Sequence, residues 1–457
     1  MPPKPIHLDG TTLEGGGQLL RLALSLSSLT QIPISVTDIR GNRGSKGKGK
    51  GKGKSKGSSR PGDASAGGLK GSHLVGTEWL ARAMGAETEG MVLRSRTLLF
   101  RPGMVEVRNG QEEGLGVEAD GKGKAKQWWE KGTNESVWED VYEEARLVRR
   151  KTYLQQSTPG AIFLVLQAIL PFVLFCSQPS STVDGESVPL RVTIEGGTNC
   201  FASLSYEYAE QVLFPMLELK LGVGPIKMTL HQRGWSMGNT DVGSVTFDIT
   251  PFRTGYVLPA FAFTDRGELN KIHVSIMAST PEVRKMIKER VLEILESQYE
   301  GVEILFPVFE DSKHNKRLYL LLVAETSNWY RLGRDWLFDQ TTKNRKDDDI
   351  VETLVKKVTR DLAVELAHGG CVDEFMQDQL VVFQALVEGK SEIDLGESAE
   401  NGSLHTQTAR WVAEEVLGTR FKKASCTGVG FRAGPPLVAG EADRARYLRK
   451  LGVDEEK

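Results

Sequence analysis

A chain of 457 residues can bury a large core and divide into two or more domains, and its 39% hydrophobic and 26% charged residues are ordinary for a globular protein. A formal charge of −2 excludes a globally basic nucleic-acid coat, so any contact with a polyanion has to come from local patches. The four cysteines, Cys176, Cys200, Cys371 and Cys426, lie far apart without a C-x-x-C spacing, which points to neither a zinc site nor a disulfide framework and suits a reducing compartment.

Near the N-terminus, Asp9-Gly10 and the run Glu14-Gly-Gly-Gly-Gln-Leu-Leu-Arg21 lead into an apolar helix over residues 19–29 and a β-branched strand over 32–36. A glycine triplet at a helix start lets backbone N–H groups approach an anion, and Arg21 adds a forked donor. Glu14 reads either as a surface residue of a Gly-rich turn or as a ligand of a divalent metal bridging phosphate oxygens. Arg40 and Arg43 close the strand, as an exposed solvated pair or as phosphate contacts. Between Arg43 and Arg60 glycine alternates with lysine, so residues 44–66 are expected to be a mobile basic insertion. His73 opens a helix over 77–84 and meets either a phosphate or solvent. A second insertion, 105–150, carries Trp128, Trp129 and Trp138, and its tail over 135–149 is expected to be a charged surface helix.

Residues 161–176 form the strongest apolar run. It is short for a bilayer span, contains Gln167 and Pro171, and reads as a buried helix followed by a strand. The N-terminus lacks an apolar signal region, so no membrane partner is expected, and a nuclear location, with a cytosolic one open, is. A strand over 190–194 runs into Glu195-Gly-Gly-Thr-Asn199. From 251 to 339 the texture changes: a strand over 271–276, a helix over 281–298 burying Val283, Met286, Ile287, Val291, Ile294 and Leu295, and strands over 302–306 and 318–323. This is a small strand-helix-strand-strand domain inserted into a larger one spanning 1–250 and 340–440.

In the second part of the large domain, Met376, Leu380, Phe383 and Val387 mark one helical face behind Gly369-Gly370, with His368 as a C-cap of the preceding segment and Asp373 as an N-cap. Asp378 and Gln379 neighbour that buried face, where an unpaired carboxylate is costly, so Asp378 calls for a metal, an arginine or a nucleotide. His405 lies just ahead of a further helix with the apolar stripe Trp411, Val412, Val416 and Leu417 and a stop at Gly418. An imidazole at the positive end of a helix dipole can offer a lone pair for nucleophilic attack, and the same position suits a helix cap with an incidental histidine. Residues 441–457 form a charged tail, read as a frayed helix. Glycines, an apolar helix and a β-branched strand recur along the chain, which gives an α/β (α+β) fold of repeated βα units.

Six ordered stretches, Asp9 to Arg21, Ile39-Arg-Gly-Asn-Arg43, Glu195 to Asn199, Ala324-Glu-Thr-Ser327, Asp373 to Leu380 and Leu404-His-Thr-Gln-Thr408, together resemble the RNA 3'-terminal phosphate cyclase family. The resemblance implies a ligase that forms a phosphoric ester, using ATP to convert an RNA 3'-phosphate into a 2',3'-cyclic phosphate. It implies His405 as the nucleophile that takes AMP, Glu14 and Asp378 as carboxylates associated with Mg²⁺ or another divalent metal, and Gln167, Phe375, Met376, Gln377, Asp378 and Gln379 in the nucleotide pocket. Gln18, Arg21, Arg40, Arg43 and His73 fall where the family contacts substrate phosphates, and the implied partner is RNA with a 3'-phosphate end. The chain departs from the family after Arg233-Gly234, where Trp235 to Gly243 stands in place of a Pro and a Gly triplet, and after Ala324-Glu-Thr-Ser327, where Asn328 to Trp336 replaces a small, Gly-rich continuation. A rival reading is a non-catalytic, cyclase-like ribosome-assembly factor for pre-rRNA processing, which would lack the His405 motif. An enolpyruvyl transferase is disfavoured, since no matching set of basic residues is evident.

Overall fold

A computed structural model describes residues 4–41, 67–103, 137–143, 146–156, 158–176, 188–340, 345–397 and 402–434. The basic insertion with Arg43, the Trp128 and Trp129 pair and the charged tail lie outside them.

Three units share one strand order. In the first, β1 (Ile6–Asp9), α1 (Gly17–Thr30), β2 (Ile34–Thr37), α2 (Gly71–Met84), β3 (Glu87–Glu89) and β4 (Leu98–Arg101) form a sheet ordered β1-β2-β4-β3. The second has an added edge strand, β5 (Glu139–Glu143), followed by β6 (Arg146–Leu154), α3 (Ile162–Cys176) and β7 (Leu190–Gly196). Then come α4 (Tyr206–Tyr208), a π-helical turn Ala209–Leu213, α5 (Phe214–Leu221), β8 (Ile226–Gln232) and β9 (Gly243–Ile249), giving β6-β7-β9-β8 behind β5. The third unit begins with β10 (Ala262–Phe263) and is then interrupted.

The interruption holds β11 (Leu269–Ala278), α6 (Pro281–Gln298), β12 (Glu303–Asp311), β13 (Tyr319–Thr326), β14 (Arg331–Leu337) and α7 (Asp347–Ala367). Its sheet runs β12-β11-β13-β14, so β14 adds a strand to the expected strand-helix-strand-strand module. The third unit resumes with α8 (Glu374–Leu386), β15 (Glu388–Ile393), α9 (Leu404–Leu417), β16 (Phe421–Lys422) and β17 (Ser425–Val429), ordered β10-β15-β17-β16. In each unit the first two strands are parallel and the next pairings antiparallel. A parallel pair requires a crossover, which α1, α3 and α8 supply.

Local chemistry sets the helix ends. Thr280 accepts the Val283 N–H and Pro281 occupies the first turn of α6, whose Val283, Ile287, Val291 and Leu295 are buried at four-residue spacing. These pack with the inserted sheet and with Ile350, Leu354, Val358 and Leu362 of α7 into a second core. The main core lies between the three repeated sheets and their helices, with α1 packed on both α3 and α9.

Two expectations are corrected. The segment over 135–149 is no surface helix: its described part pairs β5 with β6, and Asp140–Arg150 and Glu139–Lys151 contacts of 2.6 and 2.8 Å neutralise charge across the strands. Residues 162–176 form one helix rather than a helix and a strand, with Pro171 inside it. Pro171 cannot donate to the Gln167 carbonyl, and the burial of most of α3 in the main core outweighs that lost bond. No helix among the described residues is long and apolar enough to cross a membrane.

Candidate nucleotide and phosphate site

The glycine triplet turns the chain from β1 into α1. Gly15 has φ +58°, and a Cβ there would sit 2.1 Å from the Gly10 carbonyl oxygen, so the turn requires glycine. The Gly15 carbonyl accepts the Arg40 N–H at 2.8 Å, which fastens the turn to the end of β2. The Gly16 N–H donates to Glu14 Oε2 at 2.7 Å, placing that carboxylate against the start of α1. At Gly17 a Cβ would lie 2.5 Å from an Arg21 guanidinium nitrogen and 2.8 Å from His73 Nε2, so both side chains converge on the helix N-terminus. His73 is nearly buried, and its Nδ1 accepts the Lys70 N–H at 3.3 Å, an arrangement that puts the ring proton on Nε2. Arg21 is held in turn, donating to Gln167 Oε1 at 2.6 Å and to Gln18 Oε1 at 2.8 Å. Cationic and N–H donors at a helix N-terminus make a site for an anion.

Beside it lies a small cleft lined by Gln18 and Leu22 of α1, Gln167 and Pro171 of α3, and Asp378, Gln379 and Val382 of α8. Each unit's crossover helix thus contributes a polar residue and, four positions on, an apolar one: Gln18 and Leu22, Gln167 and Pro171, Asp378 and Val382. Residues four apart share a helix face, so three copies of one local pattern build one pocket. Burial pushes the Asp378 carboxyl above its ordinary range, opposed by a hydrogen bond from Gln379 and by the Arg21 charge.

His405 is exposed in the first turn of α9, and the N-cap is Ser403, whose hydroxyl accepts the Thr406 N–H. The histidine is therefore not the cap. Thr408, one turn on, accepts the Glu14 N–H at 3.1 Å and donates to the Leu404 carbonyl at 2.7 Å, joining the glycine turn to the His405 helix.

Other expected residues fall elsewhere. Met376 is fully buried in the main core, and Phe375 packs edge-on to Tyr208 with the Arg334 guanidinium 4.9 Å from its ring. Gln377 points at Gly402, where a Cβ would meet its Oε1 at 2.9 Å. Arg40 is buried rather than exposed, reaching the Gly68 carbonyl at 3.4 Å, and braces the turn through its backbone. Asp373 is the N-cap of α8, accepting from Met376 N–H and also from the Tyr208 hydroxyl and Gly333 N–H at 2.7 and 2.6 Å. His368 is the C-cap of α7. Sequence reasoning missed Leu22, Pro171, Val382 and Thr408, whose signal was the four-residue repeat and the helix spacing from His405.

The departing stretches serve the seam between units. Arg317 of the inserted domain donates to the Asn239 carbonyl and to Asp241, both at 2.5 Å, inside the residues that follow Gly234. Lys220 donates to the Asn328 carbonyl at 2.6 Å. Among the described residues no group of three or more His, Cys, Asp or Glu side chains could hold a metal ion.

The family model described as RNA 3'-terminal phosphate cyclase matches residues 12–423, which include every site element above. The chain belongs to the RNA 3'-terminal phosphate cyclase family. It is similar to an RNA 3'-terminal phosphate cyclase of Drosophila melanogaster, 26% identical over 444 residues, covering 93% of this chain and 97% of that one. It is likewise 26% identical over 420 residues to the cyclase of Pyrococcus abyssi, covering 91% and 94%, and to a protein of Dictyostelium discoideum named as a probable cyclase, covering 91% and 77%. As a member of the cyclase family, the chain has its glycine turn, its pocket residues and His405 all inside the matched span.

Proposed function

We propose that the protein converts an RNA 3'-phosphate into a 2',3'-cyclic phosphate at the expense of ATP, through a covalent His405 adenylate. One observation carries the reading: polar residues from the crossover helices of all three units line one cleft beside the anion site of α1, where Arg21 and His73 converge on Gly17. The names of the relatives support the cyclisation of an RNA 3'-terminal phosphate.

Gln18, Gln167 and Gln379 offer a nucleotide amide donors and acceptors, with Leu22, Pro171 and Val382 as apolar walls. An imidazole nitrogen of His405 attacks the α-phosphorus, so that an N–P bond forms as the bond to pyrophosphate breaks. The RNA 3'-phosphate then displaces His405 from the adenylyl phosphorus. The neighbouring 2'-hydroxyl attacks the activated phosphate and loses its proton, the ring closes, and AMP leaves. Arg21, His73 and the α1 N–H groups would receive phosphate oxygens. Mg²⁺ or a similar cation would offset charge on the triphosphate. Glu14, whose carboxylate accepts the Gly16 N–H at the start of α1, and Asp378 are the carboxylates that would hold it.

The non-catalytic assembly-factor reading is not favoured, because His405 is present, exposed and set on a capped helix. The test is incubation with α-labelled ATP and a search for an acid-labile, alkali-stable protein adduct. Wild-type protein that takes no label would sink the reading.

A further inference from the structure

The loop after β7 presents an apolar ring to water: Phe201 is 60% exposed. Its backbone is nevertheless held. The Phe201 N–H donates to Ser236 Oγ at 3.1 Å, the Ser236 N–H donates to the Asn199 carbonyl at 3.3 Å, and Cys200 Sγ donates to the Pro159 carbonyl at 3.3 Å. Asn199 is itself buried and donates to Glu207 at 2.7 Å. The exposure is therefore a property of a braced loop, and a fixed aromatic face is a suitable surface for stacking.

Its position connects to the anion site. His73 sits over Gly17, and the residue before it, Ser72, would lie 3.4 Å from a Cβ built on Gly160. Gly160 follows Pro159, which Cys200 contacts, and Phe201 comes next. A chain of contacts thus links the α1 N-terminus through His73, Ser72, Gly160, Pro159 and Cys200 to Phe201.

We propose that Phe201 is a positioning residue that stacks on a base 5' to the phosphorylated RNA end. The proposal rests on the functional reading above. Every base has a π face, so such a stack adds affinity and orients the strand without reading its sequence.

The experiment compares wild type with Phe201→Ala, Phe201→Leu and Phe201→Trp, using 3'-phosphorylated oligonucleotides of increasing length and a nucleoside 3',5'-bisphosphate. Phe201→Ala should raise KM for the longer substrates on the order of tenfold, the scale of one lost stack, with kcat little changed. The bisphosphate, too short to reach the ring, should be unaffected. Phe201→Leu, apolar but without a π face, should follow Phe201→Ala, and Phe201→Trp should match wild type. Labelling by ATP, which needs no RNA, monitors the fold of each variant. An unchanged KM in Phe201→Ala at every length overturns the stack, as does wild-type behaviour of Phe201→Leu or an equal effect on the bisphosphate. Wild-type protein that cyclises no 3'-phosphorylated RNA overturns the functional reading and this proposal with it.

Discussion

Glu14 and Thr408, 394 positions apart, are joined by a hydrogen bond of 3.1 Å from the backbone N–H of one to the hydroxyl of the other. This bond connects the glycine turn of the first unit to the nucleophile helix of the third. Thr408→Val keeps the shape and removes the acceptor. Losing this bond should cost about 1 kcal/mol in urea unfolding, and loosening the glycine turn from the His405 helix should slow adenylylation about tenfold or more. Thr408→Ser should restore both. A Thr408→Val rate equal to wild type would separate the turn from the reaction.

His405→Asn should abolish the covalent adenylate and leave the fold intact, since the side chain is exposed and makes no core contact. Labelling by α-labelled ATP reads the first outcome, and circular dichroism melting the second. Equal labelling of variant and wild type would remove His405 from its assigned role.

Asp378 should be a residue at which function and stability oppose each other. Burial raises its carboxyl in the folded state above the unfolded value of 3.8, so the native protein binds this proton more tightly than the unfolded chain. The resulting penalty is fully present above the folded pKa and disappears as pH falls below the unfolded one. Asp378→Asn should therefore raise Tm at neutral pH, with the gain vanishing in acid, while Asp378→Ala and Asp378→Asn both suppress adenylylation strongly and extra Mg²⁺ rescues it only in part. Undiminished labelling in a folded variant would make Asp378 a bystander.

A second carboxyl reports on the seam of the inserted domain. Asp335 Oδ2 accepts from Ser205 Oγ at 2.8 Å and from the Tyr319 hydroxyl at 2.9 Å, and burial pushes its pKa from 3.8 up to about 6. With the folded value raised, stability contributed through this group should fall as pH rises between about 4 and about 6 and be level above that. The stability difference between wild type and Asp335→Asn should change across that window by an amount of order 1–3 kcal/mol. A difference independent of pH would show that Asp335 keeps an ordinary carboxyl in the folded protein.

Short-range chemistry was legible in the chain itself. The helix over 281–298 was readable to the residue, because Thr280 caps it, Pro281 starts it and its apolar positions recur every four residues. The Asp373 cap and the stop at Gly418 were equally plain, since each depends on groups within a few positions. The β5–β6 pairing was not, because the charges over 135–149 suit an exposed helix equally well until a neighbouring strand is available to pair them. Nor could α3 be known to run through Pro171, a continuation that rests on packing against helices distant in sequence. The family resemblance named Gln18 and Gln167 as candidates, and the sequence itself pointed to Asp378 beside a buried face and to His405 with a helix cap as its ordinary explanation. Only the tertiary structure decided that Gln18, Gln167 and Asp378 line one cleft, and that Met376 and Arg40 turn into the protein instead. The physical reason is that caps and periodicity act over one or two helical turns, whereas bringing residues 18, 167 and 378 together requires the closure of three separate βα units around a shared core.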